Sequence, residues 1–236
     1  MTSAATTVSI DQHDAVTLIQ IDDGKANAYS AEVLATISAV IDAAESADST
    51  AAVVIAGRPG VFSGGFDLNV MRDGSPAERS NLVSNGGALV RQCFGASIPV
   101  VAACTGHAVA AGALVLLGCD LRIGPDTDSK IGLPEVTIGM PLPLWAVTIA
   151  QSRLNESHLH RCAALGDMLT PTEAIAAGFI DEVVPAESVI DRAMDAAAAL
   201  AGKITGSAYE SIVRATRGNT LATMDQQIAA DRAAVG

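Results

Sequence analysis

The sequence predicts an α/β core followed by a helical C-terminal part, and three observations carry that reading. Strand-like and helix-like segments alternate through the first half, and beyond Glu135 the segments are mostly helical. The most apolar stretch, Ile98–Cys119 (IPVVAACTGHAVAAGALVLLGC), is twenty-two residues long and has no ionisable side chain of acid or base type other than His107. Its length would suit a membrane span, but its interior is punctuated. Pro99 opens a strand-like run, Thr105-Gly106-His107 breaks it, and Ala110-Ala111-Gly112 opens an apolar helix. Finally, 236 residues are enough for a large core, and no repeat or low-complexity linker divides them. Residues 1–184 read as the core and 185–236 as an appended helical segment.

The elements follow in order. Thr7–Ile10 and Val16–Ile21 alternate and are split by Asp11–Asp14, which predicts a hairpin. Asp22–Ala28 is a loop. Ser30 is placed to cap a helix reaching about Glu45, with Val33, Ile37, Val40 and Ile41 on one face. Ala51–Ala56 is a buried strand, and Pro76–Gly95 a long helix weakened at Gly86-Gly87. Val100–Cys104 is the next strand, with a helix from about Gly112. Asp120–Ile123 and Ser129–Ile131 are short strands. Leu142–Gln151 and Asn155–Leu165 are helices. Thr170-Pro171-Thr172-Glu173 has the pattern of a capping box with proline in the first turn. Ile180–Val184 is a strand. The periodicity then predicts helices over 185–201, 206–217 and 220–234.

Composition narrows the function. A net charge of −12 argues against nucleic acid as a partner. It also means that a polyanionic ligand would need a local basic patch, and the only lysines are Lys25, Lys130 and Lys203. The cysteines, Cys93, Cys104, Cys119 and Cys162, have neither C-x-x-C nor metal-ligand spacing, and buried free thiols are expected. The first residues, MTSAATTVSIDQHDAV, lack a charged and apolar leader, so the expected setting is cytoplasmic, with no membrane partner. No G-x-S-x-G elbow, P-loop or strand-following G-x-G-x-x-G is present.

Two small-residue loops stand out. One runs Gly57–Leu68 (GRPGVFSGGFDL) after the strand Ala51–Ala56, and the other precedes the helix near Gly112. Two such loops, each offering a backbone N–H, can flank one carbonyl oxygen. Together with P-V-V-A-A-x-x-G-x-A-x-x-x-G from Pro99, C-D-x-R-I from Cys119, G-L-P-E-V-x-I-G from Gly132 and the segment Thr170–Val184, they give a chain that resembles the enoyl-CoA hydratase/isomerase (crotonase) family over nearly its whole length.

The resemblance implies a spiral of stacked ββα units and a helical tail that drives assembly into a trimer or a dimer of trimers. It also implies acyl-CoA substrates and an oxyanion hole made by the N–H groups of Phe66 and Ala111. Glu135 would be the acid/base residue. Lys25, Ala26 and Ala28 would lie near the CoA nucleotide, and Ser63, Gly64, Gly65, Phe66, Asp67, Leu68, Ala111 and Leu114 around the thioester and acyl chain. No metal or redox cofactor is implied, since CoA arrives with the substrate. From the residues alone, Glu135 is either a surface residue at a helix start or a carboxylate in an apolar pocket, where burial would raise its pKa. Lys25 is either a solvated charge or a phosphate partner. Asp67 reads as a cap for the following turn and His107 as a satisfied turn histidine. His158 and His160, two apart on a helix, face different sides.

Leu114 departs from the hydratase pattern, which places a second Glu there. Water addition draws on two carboxylates, whereas moving a double bond from C3–C4 to C2–C3 needs one base. With Glu135 alone, and with Pro141 and Trp145 following, the chain resembles the 3,2-enoyl-CoA isomerase branch. The alternatives are a hydratase or CoA hydrolase using Glu135 alone, and a non-catalytic acyl-CoA binding protein.

Overall fold

The computed structural model describes residues 7–233. Positions 1–6, part of the expected leaderless N-terminus, and 234–236, at the end of the last expected helix, lie outside the described residues. The chain winds through two sheets. The larger has the order β1-β2-β3-β5-β7-β9, formed by Val8–His13, Val16–Ile21, Ala52–Ala56, Val100–Ala103, Leu121–Pro125 and Glu182–Val184. The smaller has the order β4-β6-β8, formed by Gly60–Ser63, Gly106–Val109 and Ile131–Gly132. β1 and β2 are antiparallel and every other pair is parallel. Three times the chain lays a strand in the large sheet, then one in the small sheet, then turns into a helix. These are the stacked ββα units that the resemblance implies.

The hairpin is tighter than predicted. β1 continues to His13 and leaves a two-residue turn with Asp14 at φ +49°. The Gln12 amide donates to Asp14 O, and Thr17 Oγ1 donates to Gln12 Oε1, which holds the strands together up to the turn. α1, Ala31–Ser46, starts at the expected Ser30, whose Oγ accepts from Val33 N–H. Such a cap is worth about 1 kcal/mol. The short strands β4 and β6 were not legible as strands because Gly, Ser and His interrupt their apolar pattern. They form by pairing with each other, Gly106 opposite Gly60, so close that a side chain on Gly106 would meet the Gly60 backbone at 2.0 Å.

α3, Pro76–Gly95, has the predicted bounds and a capping box between Ser75 and Glu78. The expected weakness at Gly86-Gly87 is corrected. These glycines are packing notches, Gly86 against the Phe66 ring and Gly87 against the Trp145 indole, where even a Cβ would fall at 2.4 and 2.8 Å respectively. α4, Ala111–Gly118, is buried along its whole length, which explains why its sequence looks like a membrane segment. Among the described residues no helix is long and apolar enough to cross a membrane.

Beyond the 3₁₀ turn Glu135–Ile138, α5 (Leu144–Arg153) and α6 (Glu156–Ala163) lead to α7 (Pro171–Ala177), where Thr170 and Glu173 make the predicted capping box. α8, Val189–Lys203, buries Val189, Ala193, Ala196 and Ala197, a one-sided stripe at helical spacing, against β2, β3, β5 and β7. The two last helices expected from the sequence are one, α9, Gly206–Ala233. Gly218 costs a helix about 1 kcal/mol, but the chain is held on both sides of it. Arg217 donates to Phe94 O and pairs with Asp120 at 2.8 Å, while Leu221, Met224 and Ile228 are buried.

Asp120 is the polar joint of this region. It accepts from Val100 N–H, the Tyr209 hydroxyl and Arg217, so it ties the start of β5 to α9. Removing it leaves a largely buried guanidinium without its anion. Asp120→Ala is expected to lower the unfolding free energy by about 3 kcal/mol, read as a drop in the urea midpoint. An unchanged midpoint would mean that water replaces the carboxylate at no cost.

Candidate active site

All three strands of the small sheet end at one place. Phe66 follows β4 by three residues, Ala111 follows β6 by two, and Glu135 follows β8 by three. With β6 in the middle of the sheet, the first two loops are neighbours and Glu135 lies beyond them. Side-chain spacing along each segment is less important here than the parallel pairing, which brings three carboxyl-end loops together as in other open α/β sheets.

The Phe66 N–H is aimed by its neighbours. Tyr29 N–H donates to Gly65 O (2.8 Å), and Tyr29 O accepts from Asp67 N–H (3.1 Å). In such a parallel bridge the residue between the two bonded groups turns its own N–H to the opposite side. Ser63 Oγ accepts from Gly65 N–H and donates to Asn27 O, and Gly64 N–H donates to Ala26 O at 2.7 Å, so the loop is held from behind. Gly65 is at φ +99°, and a Cβ there would sit 3.1 Å from both Ala110 Cβ and Val109 O and 3.5 Å from Ala111 N. The two donor loops therefore touch at Gly65.

Ala111 opens α4, so its N–H is one of the first-turn groups without an intrahelical acceptor. Ala110 before it is held at φ +54°, ψ −121°, a strained backbone of the kind that concentrates at functional sites. Its N–H donates to Gly132 O at 3.0 Å, which links this loop to the strand leading to Glu135. Among the described residues neither the Phe66 nor the Ala111 N–H meets an acceptor.

Glu135 begins the 3₁₀ turn, so both sequence readings of it hold in part: it starts a helical turn, and it is only 9% exposed. The turn is fixed by Thr137 Oγ1 donating to Pro134 O and by Met140 N–H donating to Glu135 O. Glu135 Oε2 is buried without a hydrogen-bond partner among the described residues. Burial outweighs the carboxyl's own backbone hydrogen bond and raises its pKa above the usual glutamate value.

Phe66, Ala110 (the residue before Ala111) and Glu135 line a cavity of about 560 Å³. Of the residues expected around the substrate, Gly64, Phe66, Leu68, Leu114 and Glu135 line it. Ser63, Gly65 and Ala111 stand behind the wall, and Asp67 caps the short helix α2, Leu68–Asp73, through Asn69 N–H, as predicted. Lys25, Ala26 and Ala28 lie on the first loop, with Ala26 against Gly64 and Lys25 exposed. Leu114, buried on α4, lines the same cavity as Glu135, and α4 itself carries no carboxylate. His107 is satisfied as expected, its Nδ1 accepting from Lys130 N–H, but it lies in strand β6 rather than in a turn. The four cysteines are buried and free.

Other wall residues escaped the sequence reading. Ile138, Met140 and Leu142 follow Glu135, and Arg79, Ser80 and Asp231 come from α3 and the end of α9. The run Ile138–Pro143, apolar but with neither helical nor strand period, was a signal for the first group. Asp231 gave none, since a lone acid in a polar helix end looks like solvated surface.

Comparison with known proteins gives the same answer as the geometry. The enoyl-CoA hydratase/isomerase family model matches residues 11–235. The human mitochondrial enoyl-CoA delta isomerase 1 is 31% identical over 193 residues, 81% of this chain and 64% of that protein; the chain thus spans less than two thirds of the curated relative it matches. An enoyl-CoA hydratase from Mycobacterium ulcerans superposes with a TM-score of 0.92 at 35% identity, covering 98% of this chain and 100% of the other. An enoyl-CoA isomerase from Mycobacterium tuberculosis does so with a TM-score of 0.90 at 34% identity, covering 96% and 98%. With its ββα spiral, its paired donor loops and a match along almost all of its length, the chain belongs to the enoyl-CoA hydratase/isomerase family.

Proposed function

We propose that the protein moves the double bond of a 3-enoyl-CoA thioester to the 2-position. The observation that carries this reading is Glu135, a buried carboxylate with one oxygen unpartnered beside the two donor loops, in a cavity to which α4 contributes Leu114 and no acid. The Glu135 carboxylate takes a proton from C2. The electron pair left behind spreads into the carbonyl and the C3–C4 double bond, giving a dienolate. The negative oxygen is held by the Phe66 and Ala111 N–H groups, fixed in place before the charge develops. Glu135, now protonated, returns the proton to C4, and the new double bond lies between C2 and C3. A raised carboxyl pKa suits a group that must both take and give a proton near neutral pH.

Leu114 supports isomerisation over hydration for a second reason. An apolar side chain gives water no anchor beside the double bond, and its neighbours Val109 and Ala110 are apolar too. Purified protein is expected to raise the absorbance of the conjugated enoyl thioester when given 3-enoyl-CoA, and to leave 2-enoyl-CoA unchanged. A fall with 2-enoyl-CoA would mean hydration despite Leu114. Silence with both substrates over several chain lengths would favour acyl-CoA binding without turnover.

The same reasoning predicts a gain of function. Leu114→Glu adds a carboxylate to the cavity that Glu135 lines and is expected to confer measurable hydration of 2-enoyl-CoA while lowering stability, because the charge is placed at a buried site. Product analysis by chromatography for 3-hydroxyacyl-CoA reads this directly.

A further inference from the structure

The cavity carries a second polar patch, on elements other than the one that bears Glu135. Arg79 and Ser80 come from the first turns of α3, and Asp231 from the last turn of α9. Gly86, the notch that holds the Phe66 ring, lies seven residues after Arg79 on the same helix. At 1.5 Å per residue Arg79 is about 10 Å along α3 from the glycine that packs on the Phe66 ring. It is a built feature. Ser80 Oγ donates to the backbone oxygen of Asp231 at 2.9 Å, which fixes the end of α9 on α3. Arg79 Nη1 donates to Gly74 O at 2.8 Å, and its other N–H groups meet no acceptor among the described residues. Asp231 Oδ2 is shut off from solvent and has no hydrogen-bond partner among them. Burial also pushes the Asp231 carboxyl above its usual pKa.

A plain alkyl chain filling this cavity would leave the buried Asp231 oxygen without a donor and would offer nothing to the half-exposed Arg79 beside it. We propose that the patch reads a hydroxyl group on the far part of the acyl chain, and that hydroxylated acyl-CoA thioesters are the preferred ligands of this site. A hydroxyl can donate to Asp231 Oδ2 and accept from Arg79 at once. A chain-end carboxylate would set a second acid against Asp231, and a methyl end satisfies neither partner. The inference rests on the acyl thioester occupying this cavity, as in the reading above.

The test is calorimetric binding to the whole protein of decanoyl-CoA, its terminally hydroxylated counterpart and the matching dicarboxylic monothioester. All three are saturated, so binding reads the patch whether or not the isomerase assignment holds, while turnover of an unsubstituted 3-enoyl-CoA reads that assignment separately. The hydroxylated chain is expected to bind about tenfold tighter than the plain one, the worth of one to two net hydrogen bonds. Asp231→Leu is expected to invert that order. Arg79→Met, on a half-exposed first turn, is expected to erase the preference even if the Asp231 variant folds poorly. Equal binding of plain and hydroxylated chains, tighter binding of the dicarboxylic form, or a preference that survives both substitutions would overturn the proposal.

Discussion

The Glu135→Gln protein is expected to lose turnover of 3-enoyl-CoA by a factor of about 10²–10⁴, the usual worth of a positioned general acid/base. Glutamine keeps the size and the hydrogen-bonding oxygen but cannot carry a proton from C2 to C4. The loss should appear in kcat, with KM little changed, because the cavity and the two N–H donors remain. Stability should move the other way. Burial raises the pKa of Glu135 in the folded protein, so the protonated form is the one that folding favours. The contribution of this group to stability is present below its unfolded pKa and is lost as pH rises through its folded pKa. At neutral pH the wild type therefore carries a cost that Gln removes, and the melting temperature of the variant should rise. In the wild type, kcat should fall as pH drops through the raised Glu135 value, at a higher pH than an ordinary glutamate would give. Retention of full activity by Glu135→Gln would place the base elsewhere.

Gly65→Ala is expected to cost about 10²–10³ in kcat, as much as losing one oxyanion donor, without touching any group that reacts. The added Cβ would press on Ala110 Cβ and Val109 O at 3.1 Å and lie 3.5 Å from Ala111 N, from a backbone at φ +99° that alanine adopts only under strain. The donor loops must then move apart, and each carries one of the two N–H groups. Because the damage is to transition-state stabilisation, kcat should fall far more than affinity for a saturated acyl-CoA. An alanine variant with normal kcat would mean that the loops tolerate the shift, or that the two donors do not act together.

Much of the site was legible because its groups are encoded locally. Phe66 and Asp67 sit in a small-residue loop after a strong strand, and Glu135 sits in an apolar segment with a proline before it. Backbone donors need only a loop of the right shape, so a local motif is enough to propose them. The capping residues Ser30 and Thr170 were legible for the same reason, since each bonds within a few residues of itself. The errors at the glycines lie where distant parts of the chain decide the outcome. Gly86-Gly87 looked like a weak point until Phe66 and Trp145 were seen to fill the space above it. Gly218-Asn219 looked like a helix break, but Arg217 and Leu221 on either side of it are held by α3 and the end of α4 region at Phe94 and Asp120.

By itself the sequence determined the fold class and the family, and it singled out the two loops and Glu135 as candidates, because period, turn chemistry and short motifs are properties of neighbouring residues. Tertiary structure alone decided that β4, β6 and β8 pair in parallel, so that three loops separated by long stretches of chain converge. It alone decided that Glu135 is both buried and unpartnered, and that Asp231, nearly a hundred residues further on, closes the same cavity. Burial and convergence depend on which surfaces the folded chain brings face to face, and no local pattern records them.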